Sequence, residues 1–159
     1  MEKVISLIMA VLLLASGLAF AAEQEKIAVA ANGQTPGASV GIQAGRSPFF
    51  ILFDRKGKFM ETVNNPYMTK GGAGEAVADF LAHLGVKIVV AESFGGPLLI
   101  SKLPAKGVAV EVAEYSGTSL LEALKEKGMK AVAFNGGVKE AVKKVVLPGN
   151  IKIDLLGGA

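Results

Sequence analysis

The amino-acid sequence predicts a single α/β domain with a mixed sheet of five or six strands and helices on both faces. Three observations predict this class. Short apolar runs separated by turns occupy the first half of the chain, and from about residue 74 apolar strand segments alternate with segments of helical periodicity. The chain has 159 residues, and the part that remains after removal of an N-terminal leader has the length of one ordinary domain.

The N-terminus has the pattern of a secretory signal peptide. A charged start precedes an apolar run at 4–20 and an A-x-A site that ends at Ala21. We expect cleavage after Ala21, with Ala22 as second choice, so residues 1–21 are the signal peptide and the mature protein is periplasmic or secreted. The alternative is a retained membrane anchor, but the run is short for a bilayer span of about 20 residues and polar residues follow it at 23–26. We expect no stable membrane insertion after cleavage.

The first half of the mature chain predicts a strand and a hairpin. The apolar run at 27–31 is strand-like, and a loop rich in Gly, Pro and Ser follows it. The aromatic and branched run at 49–53, a turn at 54–57 and a returning strand at 59–63 form the hairpin. We expect this hairpin to supply the antiparallel edge of the sheet, and a glycine-rich loop at 64–74 follows it.

The second half predicts alternating helices and strands. Helices are expected at 77–84, 98–103, 119–127 and 138–146, and strands at 86–91, 108–112 and 130–134. The apolar strands favour parallel pairing with both faces covered. The units 108–127 and 130–146 look alike, and the sequence leaves open whether both join the sheet. Weak strand character is also present at 151–155.

Composition excludes several classes of function. The net charge of +3, with no arginine-rich stripe, gives no indication of a nucleic-acid partner. The chain has no cysteine, which excludes disulfides, cysteine-held iron–sulfur clusters and structural zinc of the cysteine type. A Ser-His-Asp triad has only one candidate base, since His83 is the single histidine.

The order of short motifs along the chain resembles a known family. The motifs are Lys26-Ile27-Ala28-Val29-Ala30, Gly45-Arg46-Ser47-Pro48-Phe49-Phe50, Asn65-Pro66, Gly72-Ala73-Gly74 and Phe94-Gly95-Gly96-Pro97. Together they are similar to the dinitrogenase iron–molybdenum cofactor biosynthesis domain, which we place at 22–147 with a C-terminal tail at 148–159. The resemblance implies a ribonuclease H-like fold. It also implies a NifX-like, nitrogen fixation-related role as a non-enzymatic binder or carrier of molybdenum- or iron-containing sulfur clusters.

One position departs from that family. Many members have a histidine two residues before the Gly-Arg pair, where this chain has Gln43. Without that histidine or a cysteine, a small anionic ligand or cluster would be bound by backbone N–H groups, Arg46 and Gln43. The alternative is an exported interaction module that keeps the fold without a metal ligand and binds an exported protein partner.

Three segments form the candidate anion site. The predicted ligand-binding residues are Gln43, Gly45, Arg46, Gly71, Gly72, Gly74, Gly95 and Gly96. Arg46 offers a guanidinium, and glycine lets the backbone approach a ligand closely. The segment that ends at Gly74 opens a helix, whose first N–H groups attract anions. The turn at 93–96 follows a strand, and open α/β sheets bind ligands beyond the carboxyl ends of their strands. Ordinary structural roles, an ion pair for Arg46 and simple turns for the glycines, are the alternative.

Other chemistries are less well supported. Glu75, Asp79 and His83 share one helical face, which suits a metal ion, but this face is opposite the apolar one and is better interpreted as solvated. The glycine segment lacks the Gly-Lys-Ser/Thr ending of a P-loop, so we do not expect nucleotide hydrolysis. A nuclease would need several convergent carboxylates, and the first strand, 27–31, has none.

Overall fold

A computed structural model describes residues 25–69, 73–95, 104–112, 119–147 and 151–154, the last of these ranges by its backbone. The helices are α1 (Gly74–His83), α2 (Ser119–Glu126) and α3 (Val138–Val146), and a short 3-10 helix covers Ala44–Arg46. The strands are β1 (Lys26–Ala31), β2 (Phe49–Phe53), β3 (Phe59–Asn64), β4 (Val86–Ala91), β5 (Ala109–Val112), β6 (Lys130–Ala133) and β7 (Ile151–Asp154). They form one mixed sheet in the order β3-β2-β1-β4-β6-β5-β7.

The predicted hairpin is confirmed at one edge of the sheet. Strands β2 and β3 pair antiparallel, and β2 also pairs antiparallel with β1. The turn between β2 and β3 is closed by Asp54, whose Oδ1 accepts hydrogen bonds from the backbone N–H groups of Lys56 and Lys58, both at 2.9 Å. A short acidic side chain that bonds the backbone two residues further on is a typical reason for a turn at such a position.

The centre of the sheet is parallel, but the second half of the chain is not parallel throughout. Strand β4 pairs parallel with both β1 and β6, as the fully apolar segments predict. Strand β5 was expected to be parallel and instead runs antiparallel to β6. Its half-buried Val110 and Glu111 explain the difference, because partly exposed strands occur in antiparallel pairs far more readily than in buried parallel ones.

Both of the similar βα units join the sheet, which settles the alternative that the sequence left open. The total exceeds the expected five or six strands because β7 pairs parallel with β5 at the far edge. The expected helix at 98–103, the expected signal peptide at 1–21 and most of the tail lie outside the described residues. No helix in the described ranges is long and apolar enough to cross a membrane.

Helices cover both faces of the sheet, as predicted. Alternate residues of a strand point to opposite faces, so Phe50 and Leu52 join the apolar cluster under α1 and α2. Ile51 and Phe53 join the cluster under α3. The two faces therefore have separate cores, and polar groups gather at the two ends of the parallel strands.

Candidate functional site

The segment 41–44 is hydrogen-bonded to the chain just beyond the carboxyl end of β4. The Ser93 N–H donates to the Ile42 carbonyl (2.8 Å), and the Ala44 N–H donates to the Ser93 carbonyl (3.0 Å). These bonds form a parallel bridge between Gln43 and Ser93. The buried Ser93 hydroxyl donates a further bond of 2.8 Å to Ile42. The segment is thus fixed at the edge where ligands of α/β sheets commonly bind.

Asn65 holds the next part of the same segment. Its side chain is 7% exposed, and its Nδ2 donates to the carbonyls of Gly45 (3.0 Å) and Ser47 (2.9 Å). Its Oδ1 accepts a bond of 3.0 Å from the Tyr67 N–H. The Ser47 hydroxyl closes the turn by donating to the Gln43 carbonyl at 2.7 Å. Since buried amide groups need their partners, Asn65 fixes the backbone on both sides of Arg46.

Arg46 ends the 3-10 helix and is exposed. Within the described ranges, no Asp or Glu oxygen forms an ion pair with its guanidinium. The ion pair that the sequence offered as the ordinary explanation for Arg46 is therefore not observed in this part of the chain. A fixed backbone and an exposed cation give an arrangement that suits an anion.

Gly74 brings the first residues of α1 and α2 together. A Cβ added at Gly74 would lie 2.6 Å from the backbone N of Leu120 and 2.7 Å from the Oγ of Ser119. A Cβ added at Gly45 would lie 3.8 Å from Cδ2 of the same Leu120. Gly45 and Gly74 therefore approach a common neighbour, Leu120. The absent side chain at Gly74 serves helix packing, since α2 occupies the space.

Gly95 has a conformational role. Its φ is +91°, in the region that favours glycine, and no atom lies within 4 Å of an added Cβ. The preceding Phe94 is buried in the cluster under α1 and α2. Gly95 thus turns the chain after a buried anchor, whereas Gly71, Gly72 and Gly96 lie outside the described residues.

The polar face of α1 is exposed and is paired with α2. Asp79 forms an ion pair with Lys127, and this hydrogen-bonded carboxylate raises the pKa of Lys127 above its ordinary value. His83 Nδ1 lies 3.1 Å from the Asp79 carbonyl oxygen. Among the described residues no group of three His, Asp or Glu side chains could hold a metal ion. The face is solvated, and part of it joins α1 to α2.

Two features were missed from the sequence. Asn65 was noted only within a family motif, although an Asn-Pro after a predicted strand is a common sign of a side chain that bonds local backbone. The second feature is a cleft at the amino ends of the parallel strands, lined by Lys26, Lys87 and Lys130. Its signal was a lysine at or near the start of each apolar strand.

The protein is a small mixed α/β domain. At the carboxyl edge of its parallel strands, a hydrogen-bonded turn that carries Arg46 lies beside the N-termini of α1 and α2. The chain belongs to the dinitrogenase iron-molybdenum cofactor family, whose model matches residues 25–110.

Solved structures show the same fold. A putative NifB protein from Thermotoga is 24% identical with a TM-score of 0.53, and the match covers 76% of this chain and 85% of that one. The apo form of the orange protein from Desulfovibrio gigas is 22% identical with a TM-score of 0.56, over 76% of this chain and 86% of that one. No curated protein matches the chain. At these identities the structures support the fold alone.

Proposed function

We propose that this protein is a non-enzymatic binding or carrier protein for a small oxyanion or thioanion, including a molybdenum- or iron-containing sulfur cluster as cargo. The observation that supports this most directly is Arg46, an exposed cation without a carboxylate partner in the described ranges. Its backbone is held by Asn65, and its turn lies beside the first residues of two helices.

Electrostatics favour a weak anion site at this edge. Each helix N-terminus contributes roughly half a positive charge. The residue before α1 is Ala73, which has no side-chain acceptor for the first N–H groups of that helix. Glu75 in the first turn offsets part of this charge. Glu122 in the first turn of α2 does the same for that helix. One guanidinium and two partial charges, reduced by two exposed carboxylates, support weak binding that weakens further as ionic strength rises.

A cluster would be bound here as a preformed anion. The chain has no cysteine, and the described ranges hold no group of three metal-binding side chains. The residues available are Arg46, the Gln43 amide and backbone N–H groups, all of which donate hydrogen bonds rather than coordinate metal. Membership of the dinitrogenase iron-molybdenum cofactor family supports this choice of cargo.

The test is titration of the protein with tetrathiomolybdate, molybdate, sulfate and phosphate, followed by backbone amide shifts. We expect shifts at Gln43, Arg46 and Gly74, and at least a fivefold loss of affinity in Arg46→Gln. Lys58→Gln is the matched control, because it removes one positive charge from an exposed side chain beside the β2–β3 turn, at the opposite end of the sheet. Amide shifts confined to that end of the sheet for all four anions would show that the site is misplaced. Metal analysis of protein purified anaerobically from its host tests the cluster itself.

The alternative is an exported interaction module without a small ligand. It is supported by Gly74, whose missing side chain is explained by the contact with Leu120, and by Gly95, which is explained by its positive φ. Capture of an exported partner that is unaffected by Arg46→Gln would favour this alternative. Export itself is proposed from residues 1–21, and N-terminal sequencing of the mature protein would test it.

We also propose that the fold is ribonuclease H-like. An antiparallel unit of β3, β2 and β1, continued by the parallel strands β4 and β6, supports it.

A further inference from the structure

A cleft of about 310 Å³ lies at the amino ends of the parallel strands, opposite the Arg46 edge. Its cations are Lys26, Arg55, Lys87 and Lys130, and its carboxylate is Glu25. Apolar side chains from β1, β4 and α3 complete the wall. The volume falls within the range of small-ligand sites, which begins at about 300 Å³. We name this feature the basic cleft.

Strand register places the three lysines at one edge of the sheet. Lys26 is level with Val86 in the β1–β4 pair, and Ile88 is level with Lys130 in the β4–β6 pair. Lys87 lies between those two β4 positions. Three adjacent strands, spaced about 4.8 Å apart, therefore each present one lysine at the same edge.

The positive charge of the basic cleft is largely uncompensated within the described ranges. Glu25 lies 3.7 Å from Arg55, so the carboxylate is already paired. The three lysines form no ion pair in the part of the chain that the structure describes. Helix α2 ends nearby, but a helix C-terminus contributes only about half a negative charge. Three lysines exceed what that dipole offsets.

An apolar groove of about 350 Å³ adjoins the basic cleft. Its walls include Phe53, Val142 and Leu147, and lysines 56, 139 and 143 stand among them. Val146 lines both the groove and the basic cleft, so the two are neighbours on the surface. Leu147 leaves 54% of its side chain exposed in the wall of this groove.

We propose that the basic cleft and the apolar groove form one site for an anionic amphiphile that carries a phosphate monoester or diester. The phosphate contacts the lysines of the basic cleft, and an alkyl chain lies along the groove beside α3. A phosphate monoester carries about −1.5 to −2 charges at neutral pH with several acceptor oxygens, which suits three lysines that have no ion pair within the described ranges. This site is separate from the Arg46 edge and does not depend on it.

The test compares inorganic phosphate, butyl phosphate and octyl phosphate, each kept monomeric, with octyl glucoside as the uncharged control. All three phosphates should shift the amides of Ile88 and Gly128, and only octyl phosphate should also shift Gly57 and Leu147. Burial of even part of the additional methylenes should tighten binding at least about tenfold from butyl to octyl. Equal affinities for inorganic and octyl phosphate, or equal affinities for octyl phosphate and octyl glucoside, would overturn the proposal.

Two double variants test which lysines bind the phosphate group. Lys87→Gln with Lys130→Gln should weaken octyl phosphate binding at least tenfold. Lys58→Gln with Lys144→Gln removes the same charge from exposed lysines that line neither cavity, and should change affinity less than twofold. Equal losses in the two double variants would show a general charge effect and refute the site.

Vesicles then distinguish the two sources of the phosphate. Sedimentation with phosphatidylglycerol but not phosphatidylcholine vesicles, lost in the Lys87/Lys130 variant, assigns the ligand to a membrane headgroup. Binding of octyl phosphate without sedimentation assigns it to a free phosphorylated amphiphile.

Discussion

Replacement of Gly74 by alanine distinguishes a packing role from a ligand-access role. The added Cβ would meet Leu120 N at 2.6 Å, Ser119 Oγ at 2.7 Å and Leu120 Cα at 2.8 Å. Two of these are backbone atoms of α2, so relief requires the helices to move apart. Overpacking of this kind costs about 1–3 kcal/mol. The gain in helix propensity from Gly to Ala is at most about 1 kcal/mol and opposes this cost. Because two backbone atoms would lie within 3.0 Å of the added Cβ, the overpacking cost should be in the upper part of its range, about 2–3 kcal/mol. We therefore expect a net loss of about 1–2 kcal/mol in the free energy of unfolding.

Urea and thermal unfolding measure the effect. For a domain of this size, a loss of about 1–2 kcal/mol lowers Tm by roughly 3–10 °C. Gly45→Ala is the matched control, because its Cβ would meet only Leu120 Cδ2 at an ordinary 3.8 Å, and we expect a change within about 0.5 kcal/mol. Equal stability of the Gly74→Ala variant and the unaltered protein would refute the close packing of α1 and α2.

Two further predictions concern side chains that support the site and the helix pair. Asn65→Ala removes the side-chain donor of the Gly45 and Ser47 carbonyls, so the free energy of unfolding should fall by about 1–3 kcal/mol in urea titration. Oxyanion binding should also weaken. Unchanged stability would show that these hydrogen bonds do not stabilise the segment. Asp79→Asn should lower the pKa of Lys127, measured by NMR of its Nζ group, since the Asp79 carboxylate raises it. A raised pKa stabilises the fold at neutral pH, and that contribution is lost only as alkaline pH passes the folded-state pKa. An unchanged Lys127 pKa in the variant would contradict the pairing.

Strong periodicity explains which parts of the fold were predictable. The helical spacing at 138–146 predicts a helix and the apolar run at 88–91 predicts the core of a strand, and both elements lie where the sequence placed them. The direction of β5 was not predictable from apolar content, because its pairing with β6 is decided by neighbours distant in the chain. β7 was also uncertain, since four residues at a sheet edge carry little periodic signal.

The sequence indicated which segments to consider for the candidate site, but it did not indicate the structural reason for each residue in them. Glycines at 45 and 74 do approach one neighbour, because the loops after β1 and before α1 end at the same edge. The sequence could not show that α2 fills the space beside Gly74. That contact joins Gly74 to Ser119 and Leu120, which are distant in the chain, so local spacing contains no information about it.

The sheet separates two surfaces that would attract anions by different means. At the carboxyl edge, helix N-termini contribute positive potential, so the weak site that we propose there depends on a single guanidinium, that of Arg46. At the amino edge, helices end and their dipoles oppose an anion, so a site there needs real charges. The lysines that begin β1, β4 and β6 supply those charges in excess of the local dipoles. Each helix C-terminus contributes about half a negative charge, so about one lysine would be enough to neutralise two helix C-termini. The surplus, together with an apolar groove that shares Val146, is what distinguishes a ligand site from a compensated helix terminus.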